Sequence, residues 1–117
     1  MTGRFPRSER LTSSADIQAL FQQGKRVDRP SLIVLWRETD GPRRAGFAVS
    51  RQIRGSVRRN RARRRLREAY RAARTAAPAR VALVVIAKRG ALDETFPVLV
   101  EQLRDALAGI GGARTAR

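Results

Sequence analysis

Arginines stand at positions 58, 59, 61, 63, 64, 65, 67, 71 and 74, and the run Arg58-Arg59-Asn60-Arg61-Ala62-Arg63-Arg64-Arg65-Leu66-Arg67-Glu68 is the densest positive charge in the chain. A guanidinium presents a planar fork of donors that matches phosphate oxygens and stacks on bases, whereas a lysine acts as a point charge. Wound into a helix, Asn60, Arg64, Arg67 and Arg71 fall on one ridge at intervals of four, three and four, with Arg61 and Arg63 flanking it. Fixed cations at about 5–6 Å spacing suit the backbone of folded RNA, where position comes from phosphates and not from base edges. On the opposite side Ala62, Leu66, Ala69, Tyr70 and Ala73 make a narrow stripe to bury.

A charge run is usually a solvated helix face, and the alternative is weighed by magnitude. Like charges one turn apart cost a few tenths of a kcal/mol per pair, and Glu68 is the one acid inside the segment to relieve them. A helix that merely faced water would carry interleaved glutamates. Asn60 is a poor helix former; its place among arginines suits a polar contact to RNA or to a hydrated metal ion, and an amino-terminal capping role is the other reading. Hydrolytic chemistry by the chain itself is poorly supplied. There is no histidine and no cysteine, and the carboxylates show no D-x-D or E-x-x-H spacing. Without cysteine there are no disulfides and no thiolate metal sites, which fits a reducing cytoplasm.

The elements that position this segment follow from charge and pattern. Lys plus Arg number 26 against 10 acids, a net of +16, and all but Lys25 and Lys88 are arginine. Arginine codons are GC-rich, so total charge carries more of the argument than the Arg-to-Lys ratio. Such an excess repels itself unless a polyanion is near, and nucleic acid is favoured over a membrane surface. Residues 1–14 contain no apolar run of signal-peptide length, and no segment approaches bilayer-spanning length. With 117 residues, 42% of them apolar, the chain closes one core. The expected organisation is a single RNA-binding domain over 1–110 with a basic leader over 1–12, and a disordered tail over 111–117.

Ser13 and Asp16 have capping-box spacing, Ile17, Leu20 and Phe21 recur at helical intervals, and Gly24 offers a stop. The runs 32–37 and 46–50, joined through Asp40-Gly41-Pro42, read as a hairpin. On the second strand Phe47 and Val49 point to the core while Ala48 and Ser50 point away, leaving a face with little bulk that can receive a ligand. A long helix is predicted over 57–74, stopped by Pro78. The continuous apolar run 81–87 has the pattern of a central strand covered on both faces. In the last helix Phe96, Leu99, Val100, Leu103, Leu107 and Ile110 form the apolar stripe, and Pro97 must lie in its first turn. The order is helix, two or three strands, helix, strand, helix.

These segments carry a resemblance. Phe47-Ala48-Val49-Ser50 followed by Val57 and Arg59-Asn60-Arg61-Ala62-Arg63-Arg64-Arg65-Leu66-Arg67-Glu68 resembles the Arg-Asn-Arg signature of bacterial ribonuclease P proteins. Arg10-Leu11 with Asp16, Phe21 and Gly24 is similar to the family's first helix, and Val84-Val85-Ile86-Ala87 with Arg89 to its late strand. The likeness runs from about Arg10 to Ile110 in the right order. It implies an α+β fold, a two-layer α/β sandwich of the ribosomal-S5-domain-2-like type, in the order α-β-β-β-α-β-α with a left-handed βαβ crossover, against the usual hand.

The resemblance further implies a cytoplasmic, non-catalytic subunit of an RNA-based endoribonuclease. Its partners would be ribonuclease P RNA and precursor tRNA, with no membrane and no protein partner implied. Mg²⁺ would be held mainly by the RNA, where it activates water. By similarity Arg51, Arg59, Asn60, Arg61, Arg63, Arg64 and Arg67 contact the catalytic RNA. Ile17, Phe21, Ile33, Leu35, Ala48 and Ser50 line a cleft for the single-stranded 5′ leader.

Two positions depart from the family pattern. Ile17 stands where an aromatic is common, and a stacking aromatic is worth about 1–3 kcal/mol per base. Arg54 stands where a glycine usually follows the strand, with Gly55 next; either the loop is rearranged or Arg54 adds a phosphate contact. For Ile17 and Phe21, ordinary core packing is the other reading. The competing functions are a ribosomal or histone-like protein that coats nucleic acid, and a protein-only nuclease.

Overall fold

Apolar residues build the sheet, and the order of strands in it differs from their order along the chain. The computed structural model describes residues 10–11 and 14–115, with Ser14 and residues 111–115 as backbone alone. Strands β1 (Lys25–Asp28), β2 (Leu32–Glu38), β3 (Arg44–Val49) and β4 (Val81–Ala87) form one sheet in the order β1-β2-β4-β3. The expected hairpin of β2 and β3 is therefore corrected. β4 lies between them, antiparallel to β2 and parallel to β3. The reason is the apolarity of β4 on both faces, which only a central position covers. The Asp40-Gly41-Pro42 turn reverses the chain but leaves room for one more strand.

β3 and β4 are joined through helix α2 (Ser56–Ala73) and a 3₁₀ turn (Arg74–Ala76), which makes the βαβ unit. Helix α1 (Ser14–Gln23) precedes the sheet, and a one-turn helix α3 (Gly90–Asp93) leads into α4 (Phe96–Thr115). A Cβ on Gly24 would sit 2.6 Å from the Leu20 carbonyl oxygen, so the close approach that ends α1 needs glycine. Ser13 of the expected cap, and the leader apart from Arg10 and Leu11, lie outside the described residues. The backbone of α4 stays helical through Thr115, past the expected tail boundary.

Alternation along the strands divides the core. Leu32, Val34, Trp36, Val49, Leu83, Val85 and Ala87 face α2 and α4. There they meet Ala62, Leu66, Ala69, Tyr70 and Ala73, the buried stripe expected for α2. Tyr70 is fully buried, and Phe47 meets its ring edge-on at 5.6 Å between centroids. Each fully buried large apolar side chain contributes about 1.5–3 kcal/mol. In α4, Leu99, Val100, Leu103, Leu107 and Ile110 are buried with Ala106, but Phe96 opens the helix and remains 39% exposed, so it drops out of the expected stripe. Pro97 lies in the first turn as predicted.

The other face of the sheet carries a smaller cluster. Leu11, Leu20 and Val84 are buried there, with Ile17, Ala48, Ala82 and Ile86 packed against them. The edge strand β1 is held mostly by polar contacts. Lys25 lies 5.2 Å from the Trp36 ring centroid, and Asp28 accepts from Lys88 and from Arg26. The Lys88 bond, opposed by desolvation and supported by Arg26, holds the Asp28 carboxyl below its ordinary value of 3.8.

Candidate nucleic-acid interface

Helix α2 starts where only glycine is comfortable. Its N-cap, Gly55, has φ +90°, a conformation L side chains rarely adopt, and no side chain caps the helix. The glycine that this helix entry needs is therefore Gly55, and Arg54 is exposed beside it. Asn60 lies one turn inside the helix, which removes the capping reading. Its Oδ1 accepts from Arg63 Nη1 at 3.0 Å.

The burial of the Ala62–Leu66–Tyr70 stripe forces the opposite ridge outward. Asn60, Arg63, Arg64 and Arg67 together line one shallow hollow of about 130 Å³. Four of the seven RNA-contact residues implied by the resemblance are thereby brought together. Among the described residues Arg64 and Arg67 have no protein partner, and Glu68, the acid in the segment, is paired with Arg71. Arg61 is exposed on the same helix, and Arg51 is exposed in the turn after β3. Three guanidiniums around one hollow with no carboxylate in its lining make a place for an anion.

Two arginines of α2 turn the other way. Arg59 is half-buried and folds back on the protein: its Nη1 donates to Ser50 O at 3.0 Å and Ile53 O at 2.9 Å, and its Nη2 to Val49 O at 3.2 Å. Main-chain carbonyls thus occupy most of the fork of a residue for which the resemblance implies an RNA contact. Arg65 donates to Ala91 O at 2.8 Å and to Glu94 O, tying α2 to α3. Nothing in the spacing of arginines separates these two from the others; the distinction comes from loops that lie within reach only after folding.

The register resolves the second expected site into rows. On the α1 side of the sheet Ile33, Ile86 and Ala48 lie abreast, then Leu35, Val84 and Gly46, then Arg37, Ala82 and Arg44. Leu11 N donates to Ala45 O at 2.8 Å, and a Cβ on Gly46 would meet Leu11 O at 3.1 Å, so residue 11 closes over the middle row. Leu35 is accordingly buried floor. Ile33, Ala48 and Ile86 are half-buried. Ile17 packs into the Leu11–Leu20–Val84 cluster, which favours its core reading, whereas Phe21 is 53% exposed, which is not core packing. Ser50 lies just past β3, with its Oγ accepting from Gln52 N at 3.1 Å.

Three further residues on this face escaped the sequence reading. Ile86 completes the open row, and its direction follows from its register with Ile33 rather than from its apolar neighbours. Arg37 and Arg44 flank Ala82 at the far end, beside a hollow of about 210 Å³ that Leu11, Asp16, Thr39 and Pro42 also line. No group of three or more His, Cys, Asp or Glu side chains among the described residues is placed to hold a metal ion. No described helix is long and apolar enough to cross a membrane.

Comparison with known proteins gives a consistent result. The family model described as Ribonuclease P matches residues 5–111. A ribonuclease P protein component from Gluconacetobacter diazotrophicus is 39% identical over 112 residues, which cover 92% of this chain and 97% of the relative. One from Symbiobacterium thermophilum is 36% identical over 104 residues, 87% and 90% of the two chains. Among solved structures, the ribonuclease P protein from Thermotoga maritima superimposes with a TM-score of 0.74 at 28% identity, covering 86% of this chain and 96% of that one. The Staphylococcus aureus protein gives 0.70 at 25% identity, covering 85% and 92%.

Proposed function

The chain belongs to the ribonuclease P protein family, and on that premise we propose that it binds the catalytic RNA through the exposed face of α2 and the 5′ leader of precursor tRNA through the α1 face of the sheet. The observation that carries the reading is the hollow formed by Asn60, Arg63, Arg64 and Arg67, cationic and unrelieved by acids in its lining. Phosphate oxygens of folded RNA fill such a hollow. A Mg²⁺ ion bound directly by Asn60 would sit among guanidiniums, so magnesium is held mainly by the RNA. Arg51 and Arg61 extend the contact on either side.

For the leader, Ile33, Ala48 and Ile86 supply a low apolar floor and Phe21 an exposed ring at its rim, against which bases stack. Arg37 and Arg44 add counter-charge to leader phosphates. The protein offsets repulsion between two RNAs and holds the substrate, while the RNA carries the hydrolysis, assisting 5′-end maturation of tRNA in the cytoplasm.

The test is reconstitution. Adding the chain to a ribonuclease P RNA at physiological Mg²⁺ should raise cleavage of precursor tRNA at the mature 5′ end. A chain that coated both RNAs without stimulating cleavage would be a packaging protein, and cleavage by RNA-free protein would make it a nuclease in its own right. Either result overturns the proposal.

A further inference from the structure

The sheet face under α1 holds two compartments, and residue 11 divides them. Arg10 pairs with Ala45 in a parallel bridge and Leu11 N donates to Ala45 O at 2.8 Å, which lays residue 11 over the middle of the face. On one side lies the open row of Ile33, Ile86 and Ala48, and on the other the row of Arg37, Ala82 and Arg44. The two rows stand four residues apart along each strand, about 13 Å at roughly 3.3 Å per residue. The open row ends at Ser50, just before α2, so a leader coming from the RNA-docking face meets it first.

The far compartment differs in kind from the hollow on α2. That one, of about 130 Å³, is lined by three guanidiniums and an amide, with no carboxylate. The far one, of about 210 Å³, sets Asp16 and Thr39 beside Arg37 and Arg44, with Leu11 and Pro42 as apolar walls. Among the described residues the Arg37 and Arg44 side chains have no hydrogen-bond or ion-pair partner. A carboxylate in the lining disfavours a phosphate but still offers about four lone-pair sites to donors. A base with acceptors on one edge and donors on another uses both signs of charge. Guanine has a pair of each: O6 and N7 accept from a guanidinium fork, and the N1 and N2 hydrogens donate to a carboxylate.

We infer that this hollow is a guanine-binding subsite for a distal nucleotide of the single-stranded leader. Asp16 takes the Watson–Crick donors, one of Arg37 and Arg44 takes O6 and N7, and the other guanidinium takes the adjoining phosphate. The inference rests on the two-surface reading above and adds a sequence preference to it. A stacked strand rising about 3.4 Å per nucleotide covers the interval between the rows in roughly four nucleotides. The preference therefore falls about that far upstream of the nucleotide on the open row, and shorter leaders do not reach it.

The experiment uses holoenzyme reconstituted from the full chain and a ribonuclease P RNA, acting on a pool of precursor tRNAs with randomised leaders. Relative kcat/KM for each leader is read by sequencing the uncleaved fraction, for wild type, Asp16→Asn and the double variant Arg37→Ala with Arg44→Ala. Wild type should favour guanosine by about fivefold or more at one distal position, as one bidentate base contact implies. Asp16→Asn puts an amide donor where the carboxylate accepted, so it should lose that preference and turn toward adenosine. The double variant should lose the preference together with the gain from lengthening the leader past that position. Affinity for the catalytic RNA should match wild type in both.

A wild-type profile flat at every distal position overturns the inference, whether or not the variants fold. A guanosine preference that survives both sets of substitutions places the recognition elsewhere and overturns it too. So does weaker binding of the catalytic RNA by the double variant, with a salt slope shallower by about two and leader preference intact, because the hollow would then belong to that RNA. A wild-type holoenzyme indifferent to whether any leader is present would remove the two-surface reading itself, and the subsite with it.

Discussion

Phe21 and Ile17 stand one helical turn apart on α1, and their surroundings separate them. Ile17 is packed against the cluster of Leu11, Leu20 and Val84, while Phe21 leaves 53% of its surface to solvent. Helical spacing in the sequence could not make that distinction, because it does not say which side of a short amphipathic helix meets the strands. The α2 stripe was fully legible, since Ala62, Leu66, Ala69, Tyr70 and Ala73 leave one apolar side only. Arg59 was not, because its partners are main-chain carbonyls that carry no sequence signal. Replacing Phe21 by alanine should lower the preference for precursor over mature tRNA by about 1–3 kcal/mol, the worth of one stacked base, with thermal stability close to wild type. The ratio of kcat/KM for the two substrates reads this. Equal loss on both, accompanied by a lower melting temperature, would return Phe21 to a packing role.

At the scale of elements, the helices and the long strands were readable from periodicity, and the pairing of strands was not. The runs 32–37 and 46–50 flank good turn chemistry, which predicts a hairpin, but hydrogen-bonding partners are settled by which strand is apolar on both faces. That strand is β4, some thirty residues later in the chain. β1 carried little signal because Val27 is its one apolar residue and the charges around it suit a sheet edge. The start of α2 illustrates a sequence feature whose meaning depends on geometry: Gly55 is required by φ +90°, with open space where a side chain would stand. Gly55→Ala should therefore destabilise through backbone strain alone, by about 1–3 kcal/mol, measured as a shift in the midpoint of urea unfolding. A neutral effect would show that the loop relaxes without glycine, and that the entry to α2 is less constrained than these angles require.

For the whole molecule, the sheet separates two surfaces with different chemistry. One side is buried under α2 and α4, so the cations of the α2 ridge lie on the outer surface of the helical layer; the other side presents a half-buried apolar row with Arg37 and Arg44 beyond it. The net charge of +16 announced a polyanionic partner from composition, but only the fold shows that the charge falls on both sides. The most direct measurement of the central claim is the dissociation constant of the protein for ribonuclease P RNA between 50 and 200 mM monovalent salt at fixed Mg²⁺. For roughly six to ten phosphate contacts, wild-type affinity should fall by about 10³–10⁵ over that range, and Arg64→Ala with Arg67→Ala should reduce the log–log slope by about two. Asn60→Ala, a neutral contact, should weaken binding by about 1.5–3 kcal/mol at every salt concentration without changing the slope. A double arginine variant that kept the wild-type slope would contradict the account, because the exposed face of α2 would then not be where the RNA lies.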